Sequence, residues 1–400
     1  MRRHLQLFLI ALVLSVGIPL VAQISVPEIP YDSTPNFLKY PDNIVMGEAV
    51  GVASNSKGHV FVFTRSGTLS YTVGTSRQFA RGAPSRLYEF DEKGTFVKEI
   101  GKGIYAMAFA HTVRVDPQDN IWINDEGAGM TIKFSPDGNQ ILLTLGRKPE
   151  SFDGIPGPAP ENARFGGRGP ATIGGPVPGE GGGAEGRGAP AAPAPVAPGG
   201  RGAAPALPTF PPESGPFATF NRQTDVAWDA AGNIFVSDGY GNKRVAKFDK
   251  NGNFIKSFGN GRGRGPGQFQ DVHTVQVDHQ GNVYSGDRSN ARIQVFDNDG
   301  NLKNTFYNVG SPWTLCITPG QHQYLYSSNS SGTSDMTKGE IYKMELDGHI
   351  IGKFGHAGRQ LKEFMAVHSI DCRNENKLYT GEISNWRVQE ITLHPEQMKK

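Results

Sequence analysis

The chain has 400 residues, with 40 lysines and arginines against 38 aspartates and glutamates, a net charge of +2, 52 glycines and two cysteines. That length supplies ample core for one large or two medium domains. The near-neutral balance, with no basic stripe interleaved with aromatics, excludes nucleic acid as an expected partner.

In chain order, Arg2, Arg3 and His4 precede an apolar run from Leu5 to Val21, and Ala22-Gln23 offers a small-residue cleavage point. The run is short for a spanning helix and is interrupted by Gly17 and Pro19, so residues 1–22 read as a cleaved export signal rather than a retained anchor. The mature protein is then expected to be periplasmic or extracellular, with no integral membrane domain. Residues 23–46 form an N-terminal segment, of which Pro35–Asn43 is expected to complete the last sheet and hide its edge.

From residue 47 the chain repeats one unit: short strand, Asp/Asn-Gly turn, second strand, small-polar loop, third strand, turn, fourth strand. The clearest copy is TDVAWDAAGNIFVSDGYGNKRVAKFDKNGNFIKSFG, from Thr224 to Gly259. Its strands are rich in β-branched and aromatic residues, and its turns carry AGN and NGN. Six copies begin near Gly47, Tyr105, Phe220, Phe269, Ser311 and Phe364. Four short strands per copy at a period of roughly 40–50 residues predict an all-β fold, a six-bladed β-propeller. Residues 47–147 hold the first two blades and residues 217–396 the other four. Between them, residues 148–216 are dominated by Gly, Pro and Ala, a composition expected to be disordered and tolerated as a surface insertion. Cys316 and Cys372 fall on the first strands of neighbouring copies; a disulfide and two buried thiols are both open from sequence.

One repeat position carries the chemistry. His111 opens HTVRVD, His273 opens HTVQVD and His368 opens HSIDCR, whereas the other copies have Val50, Thr224 and Trp313 there. Alternation around six blades sets the histidines about 120° apart and facing one another, the arrangement a metal ion such as zinc requires. Three protein ligands leave a coordination position open, as catalytic sites do. A second position, after strand two, carries Asp125, Asp238, Asp287 and Glu382, read as structural caps of the loop. Arg65, Tyr240 and Arg288 near that position break the repeat consensus. Two arginines and a tyrosine beside a cation suggest a substrate with a carboxylate, the tyrosine serving as base.

The stretch FNRQTDVAWDAAGNIFVSDGYGNKRVAKFDKNGNFIKSFG, continued by GPGQFQDVHTVQVDHQGNVYSGDRSNARIQVFD, resembles the lyase domain of peptidylglycine α-amidating enzymes, a six-bladed propeller of NHL-type repeats. The resemblance covers most of residues 45–395 outside the Gly/Pro tract. It implies zinc on His111, His273 and His368, a catalytic tyrosine at Tyr240, and active-site arginines at Arg65 and Arg288. It also implies calcium held by the backbone carbonyls of Val52 and Val113 and by an aspartate after the third histidine. This chain has Ser369 at that place, with Asp371 nearby, and Gly241 where the family has a cysteine. The implied reaction cleaves a peptidyl-α-hydroxyglycine, a peptide or small-molecule substrate, to an amide and glyoxylate. No copper hydroxylase pattern is present, so either a separate hydroxylase supplies that substrate or the site handles another carbinolamide or α-hydroxy acid. Two other readings stand beside this one: a non-catalytic NHL propeller that binds peptide or glycan on one rim, and a lactonase-type propeller hydrolase, whose Glu/Asn/Asp metal set the histidines do not match.

Overall fold

The computed structural model describes residues 26–66, 70–73, 76–79, 85–104, 106–146, 220–331 and 336–398. The expected export signal, residues 1–22, and the Gly/Pro-rich tract, residues 148–216, lie outside them. Among the described residues no helix is long and apolar enough to cross a membrane.

Six four-stranded antiparallel sheets form six blades. Their first strands are Glu48–Ser54, Ala110–Val115, Asp225–Trp228, Val272–Val277, Pro312–Ile317 and Val367–Asn374. Each packs against the first strand of the next blade, and the sixth against the first, so they line a closed central axis. The second strands of the first four blades, among them Val60–Arg65, Ile121–Asp125 and Ile234–Asp238, are buried at every residue, because a blade is covered on both faces by its neighbours. Outer strands such as Phe254–Phe258 are more exposed.

The turns follow from one side-chain device. In Asp-x-x-Gly-Asn, the Asp229 carboxylate accepts the backbone N–H groups of Ala231 and Asn233 and the Asn233 amide. Asp249, Asp278 and Asp297 repeat the pattern, and the glycine adopts a positive φ, as Gly232 does at +83°. In blade two Asp119 stands at the glycine position with φ +61°, tolerated because a short polar side chain can bond locally.

The sixth blade closes with a strand from the N-terminal segment, but not the one expected. Tyr31–Thr34 pairs with Arg387–Leu393, whereas Pro35–Asn43 lies beyond it in the chain. The ladder cannot extend into Pro35, which lacks an N–H to donate. Tyr31 packs tilted against Phe354 and stacks on Phe364, and the Thr34 hydroxyl donates to Glu390, which fixes the register.

Cys316 and Cys372 form a disulfide between the first strands of blades five and six, a sequence separation of 56. Closing a loop of that length removes about 4 kcal/mol of unfolded-state entropy in the chain-entropy model. The double substitution Cys316→Ser, Cys372→Ser should therefore lower stability by about 2–4 kcal/mol in non-reducing denaturant titration. A double variant as stable as the parent would show that the bond contributes nothing.

Candidate metal centre

His111, His273 and His368 each sit at a β-bulge. The ladder register slips between Ala110 and Thr112, between Val272 and Thr274, and between Val367 and Ser369. A bulge turns its extra residue out of the ladder, here toward the axis. The three rings converge: their centroids are 4.8, 4.6 and 4.9 Å apart, and one ligand atom from each lies within 4.8 Å of the others.

The alternation seen in sequence has a second purpose. His111 donates from Nδ1 to the Thr224 carbonyl (2.6 Å), His273 to that of Trp313 (2.5 Å), and His368 to that of Val50 (2.7 Å). Each histidine is thus held by the backbone of the following blade, at the repeat position where that blade has no histidine. Locking Nδ1 as donor leaves Nε2 with its lone pair, the usual outer-sphere arrangement of a metal-binding imidazole. His273 Nε2 is buried and has no protein partner, an arrangement that costs free energy unless something occupies the space. Burial holds His111 and His273 well below the ordinary imidazole range. For His111 the His368 ring and the Arg65 and Arg288 guanidiniums add to the effect; for His273, Arg288 and the other two rings do. Neutral imidazole is the ligand form. The donor set fits zinc: three imidazole nitrogens converging from rings fixed by backbone hydrogen bonds.

Tyr240 and Arg288 join this cluster. The Tyr240 hydroxyl lies 3.3 Å from His111 Nε2 and accepts from Arg288 Nη1 at 3.4 Å. Its ring centroid is 5.6 Å from those of both His111 and His273. Arg65 is buried beside Ala110, donating from Nε to that carbonyl at 2.6 Å, with its guanidinium 3.8 Å over the Phe109 ring. Two further residues belong here that sequence reading left out. Arg222 lies 4.5 Å over the Tyr240 ring, ion-paired with the buried Glu126 and in a left-handed conformation at φ +65°. Trp313 was noted as a histidine-free repeat position, yet its indole packs between Arg288 and the rings of His273 and His368, and its buried Nε1–H has no protein partner. Arg222 lies in the connector before a first strand and has no counterpart in the other copies to compare; Glu126 is masked by the adjacent Asp125.

The recurring acids are the expected caps, and they also position the site. Asp125 accepts from the N–H groups of Ala108 and Phe109, Asp287 from those of Gln270 and Asp271, and Glu382 from that of Met365. Each grips the segment leading into a histidine. Asp238 does the same for Asn221, ahead of Arg222, and burial pushes its carboxyl up despite the Arg244 guanidinium. Gly241 packs against Asn221, whose side chain a Cβ at 241 would meet at 2.1 Å, so no larger residue fits without displacing it.

At the positions implied for calcium, Val52, Ser369 and the nearby Asp371 make hydrogen bonds within the protein. The Ser369 hydroxyl donates to the Val52 carbonyl (3.2 Å) and accepts from the Val52 N–H (3.1 Å). Asp371 accepts from the N–H and hydroxyl of Ser54. Val113 is buried in the adjacent first strand.

Comparison with known proteins identifies the fold and several relatives. A family model described as a 6-bladed beta-propeller matches residues 224–384. A probable peptidyl-alpha-hydroxyglycine alpha-amidating lyase of Caenorhabditis elegans is 21% identical over 367 residues, 87% of this chain and 83% of that protein. The peptidyl-alpha-hydroxyglycine alpha-amidating lyase 1 of Drosophila melanogaster is 22% identical over 88% of this chain and 58% of its own length. Peptidyl-glycine alpha-amidating monooxygenase B of Xenopus laevis is 43% identical over 173 residues, 41% of this chain but only 19% of that longer protein. A virginiamycin B lyase from Staphylococcus aureus aligns over 92% of this chain and all of its own at 11% identity and a TM-score of 0.48. The chain is a six-bladed β-propeller, and the proteins similar to it over most of its length include two named as peptidyl-alpha-hydroxyglycine alpha-amidating lyases.

Proposed function

We propose that this protein is an exported, zinc-dependent carbon–nitrogen lyase that cleaves a carbinolamide of the peptidyl-α-hydroxyglycine type to an amide and glyoxylate. The observation that carries the reading is the convergence of three carbonyl-locked imidazoles with Tyr240 and Arg288 at one end of the axis. His111, His273 and His368 would hold the zinc. When bound, the ion supplies Lewis acidity toward the α-hydroxyl oxygen of the substrate.

The chain's own residues supply the rest. Arg288, beside Tyr240 and Trp313, and Arg65, held on the Ala110 carbonyl next to His111, would offer charge-assisted hydrogen bonds to the substrate carboxylate. The Tyr240 phenolate oxygen takes the proton of the α-hydroxyl. Arg222 and Arg288 bring two positive charges to that ring, the electrostatic setting an anionic base requires. As the hydroxyl becomes the aldehyde carbonyl of glyoxylate, the C–N bond breaks and its electron pair stays on nitrogen. The proton held at Tyr240 Oη then passes to that nitrogen, completing the amide and restoring the phenolate. The unpartnered Trp313 Nε1–H is a donor left for the bound substrate. The reaction presupposes a hydroxylated substrate, so a separate hydroxylase would act before it.

Purified protein loaded with one equivalent of zinc should release glyoxylate from a small N-acyl-α-hydroxyglycine at a rate proportional to enzyme. Zinc bound but no glyoxylate formed would sink the lyase reading and leave a non-catalytic propeller that binds its ligand on this rim.

A further inference from the structure

Three residues beyond His111, about 10 Å further along the same strand, Arg114 projects into the axis. Its Nε and Nη2 donate to the two oxygens of Asp225 at 2.9 and 2.6 Å. Nη1 donates to the Ile370 carbonyl (3.2 Å) and Nη2 also to that of Leu315 (3.1 Å). Asp225 in turn accepts the Thr274 hydroxyl at 2.7 Å, and that hydroxyl receives the Leu315 N–H. One buried guanidinium–carboxylate pair therefore ties together the first strands of blades two, three, four, five and six. Blade one joins through Ser369 with Val52 and through Asp371 with Ser54. Below the pair the axis opens into a cavity of about 410 Å³ lined by Arg114, Trp228, Ile317 and the disulfide.

We infer that the Arg114–Asp225 pair is the axial cation of this propeller, doing with a covalently attached charge what a structural calcium would do, and that the fold takes up no calcium there. Calcium needs six to eight oxygens, several of them anionic. Here the axial carboxylate is engaged on both oxygens by Arg114, the inward carbonyls of Leu315 and Ile370 already receive guanidinium hydrogens, and the Val52 carbonyl receives a hydroxyl. A dication placed among these groups would also face the fixed positive charge of Arg114.

The test uses the full chain, stripped on a chelating resin, reloaded with one equivalent of zinc and titrated with calcium chloride into the millimolar range, which spans extracellular calcium sites. The expected result is no bound calcium by metal analysis and a thermal midpoint constant to within about 1 °C. Saturable calcium uptake with a rising midpoint would overturn the inference. In a second arm Arg114→Met, which keeps the stem and strands Asp225, should lower the midpoint by about 6–15 °C, with no recovery on adding calcium. A midpoint equal to that of the parent would also overturn it. The first arm uses unaltered protein and decides the matter even where the variant does not fold.

Discussion

His273→Ala should leave the purified protein with almost no zinc after dialysis, against about one equivalent in the parent. The expectation rests on geometry: each imidazole is one of three ligand groups, and all three are buried with Nδ1 already engaged. Loss of an outer partner of a metal-binding histidine alone costs about 10–100-fold in affinity, so loss of the ligand itself should exceed 100-fold. The fold should persist, because His273 makes its protein hydrogen bond only through Nδ1, and alanine removes a buried Nε2 that has no partner. Metal analysis beside circular dichroism reads both quantities. Full retention of zinc by the alanine variant would exclude this cluster as the metal centre.

Tyr240→Phe removes one oxygen and keeps the ring between Arg222, Arg288, His111 and His273. If that oxygen moves the proton, turnover on the α-hydroxyglycine compound should fall about 10²–10⁴-fold. The zinc content should not change, and KM should move little, because the carboxylate partners Arg65 and Arg288 remain. The split between kcat and KM separates a base from a binding group. A phenylalanine variant that turns over at the parental rate would remove Tyr240 from the mechanism, whatever the metal does.

The repeat made most of this readable. Turn chemistry at a fixed period marks six blades, and the Val, His, Thr, His, Trp, His alternation points the imidazoles at one axis. Tyr240 and Arg288 were legible for the opposite reason, because they depart from the pattern around them. What stayed hidden depends on neighbours in space. Nothing in the local sequence tells that the Val50, Thr224 and Trp313 carbonyls lock the rings, since a backbone oxygen leaves no mark on residue type. Arg114 reads as one more charged residue on a strand, and only the ring of blades brings Asp225, Leu315 and Ile370 to it. The strand that closes the sixth blade is Tyr31–Thr34 rather than Pro35–Asn43, because the proline and the Tyr31 contacts decide the register.

The carbonyl locks carry an evolutionary corollary. Val50, Thr224 and Trp313 set the imidazole tautomers through main-chain oxygens, so that duty places no demand on their side chains. Exchanging one of them reshapes the wall around the reacting centre while the ring tautomers stay as they are. A lineage could in this way drift toward new substrates, one wall residue at a time, without ever passing through an ancestor that had lost its ion.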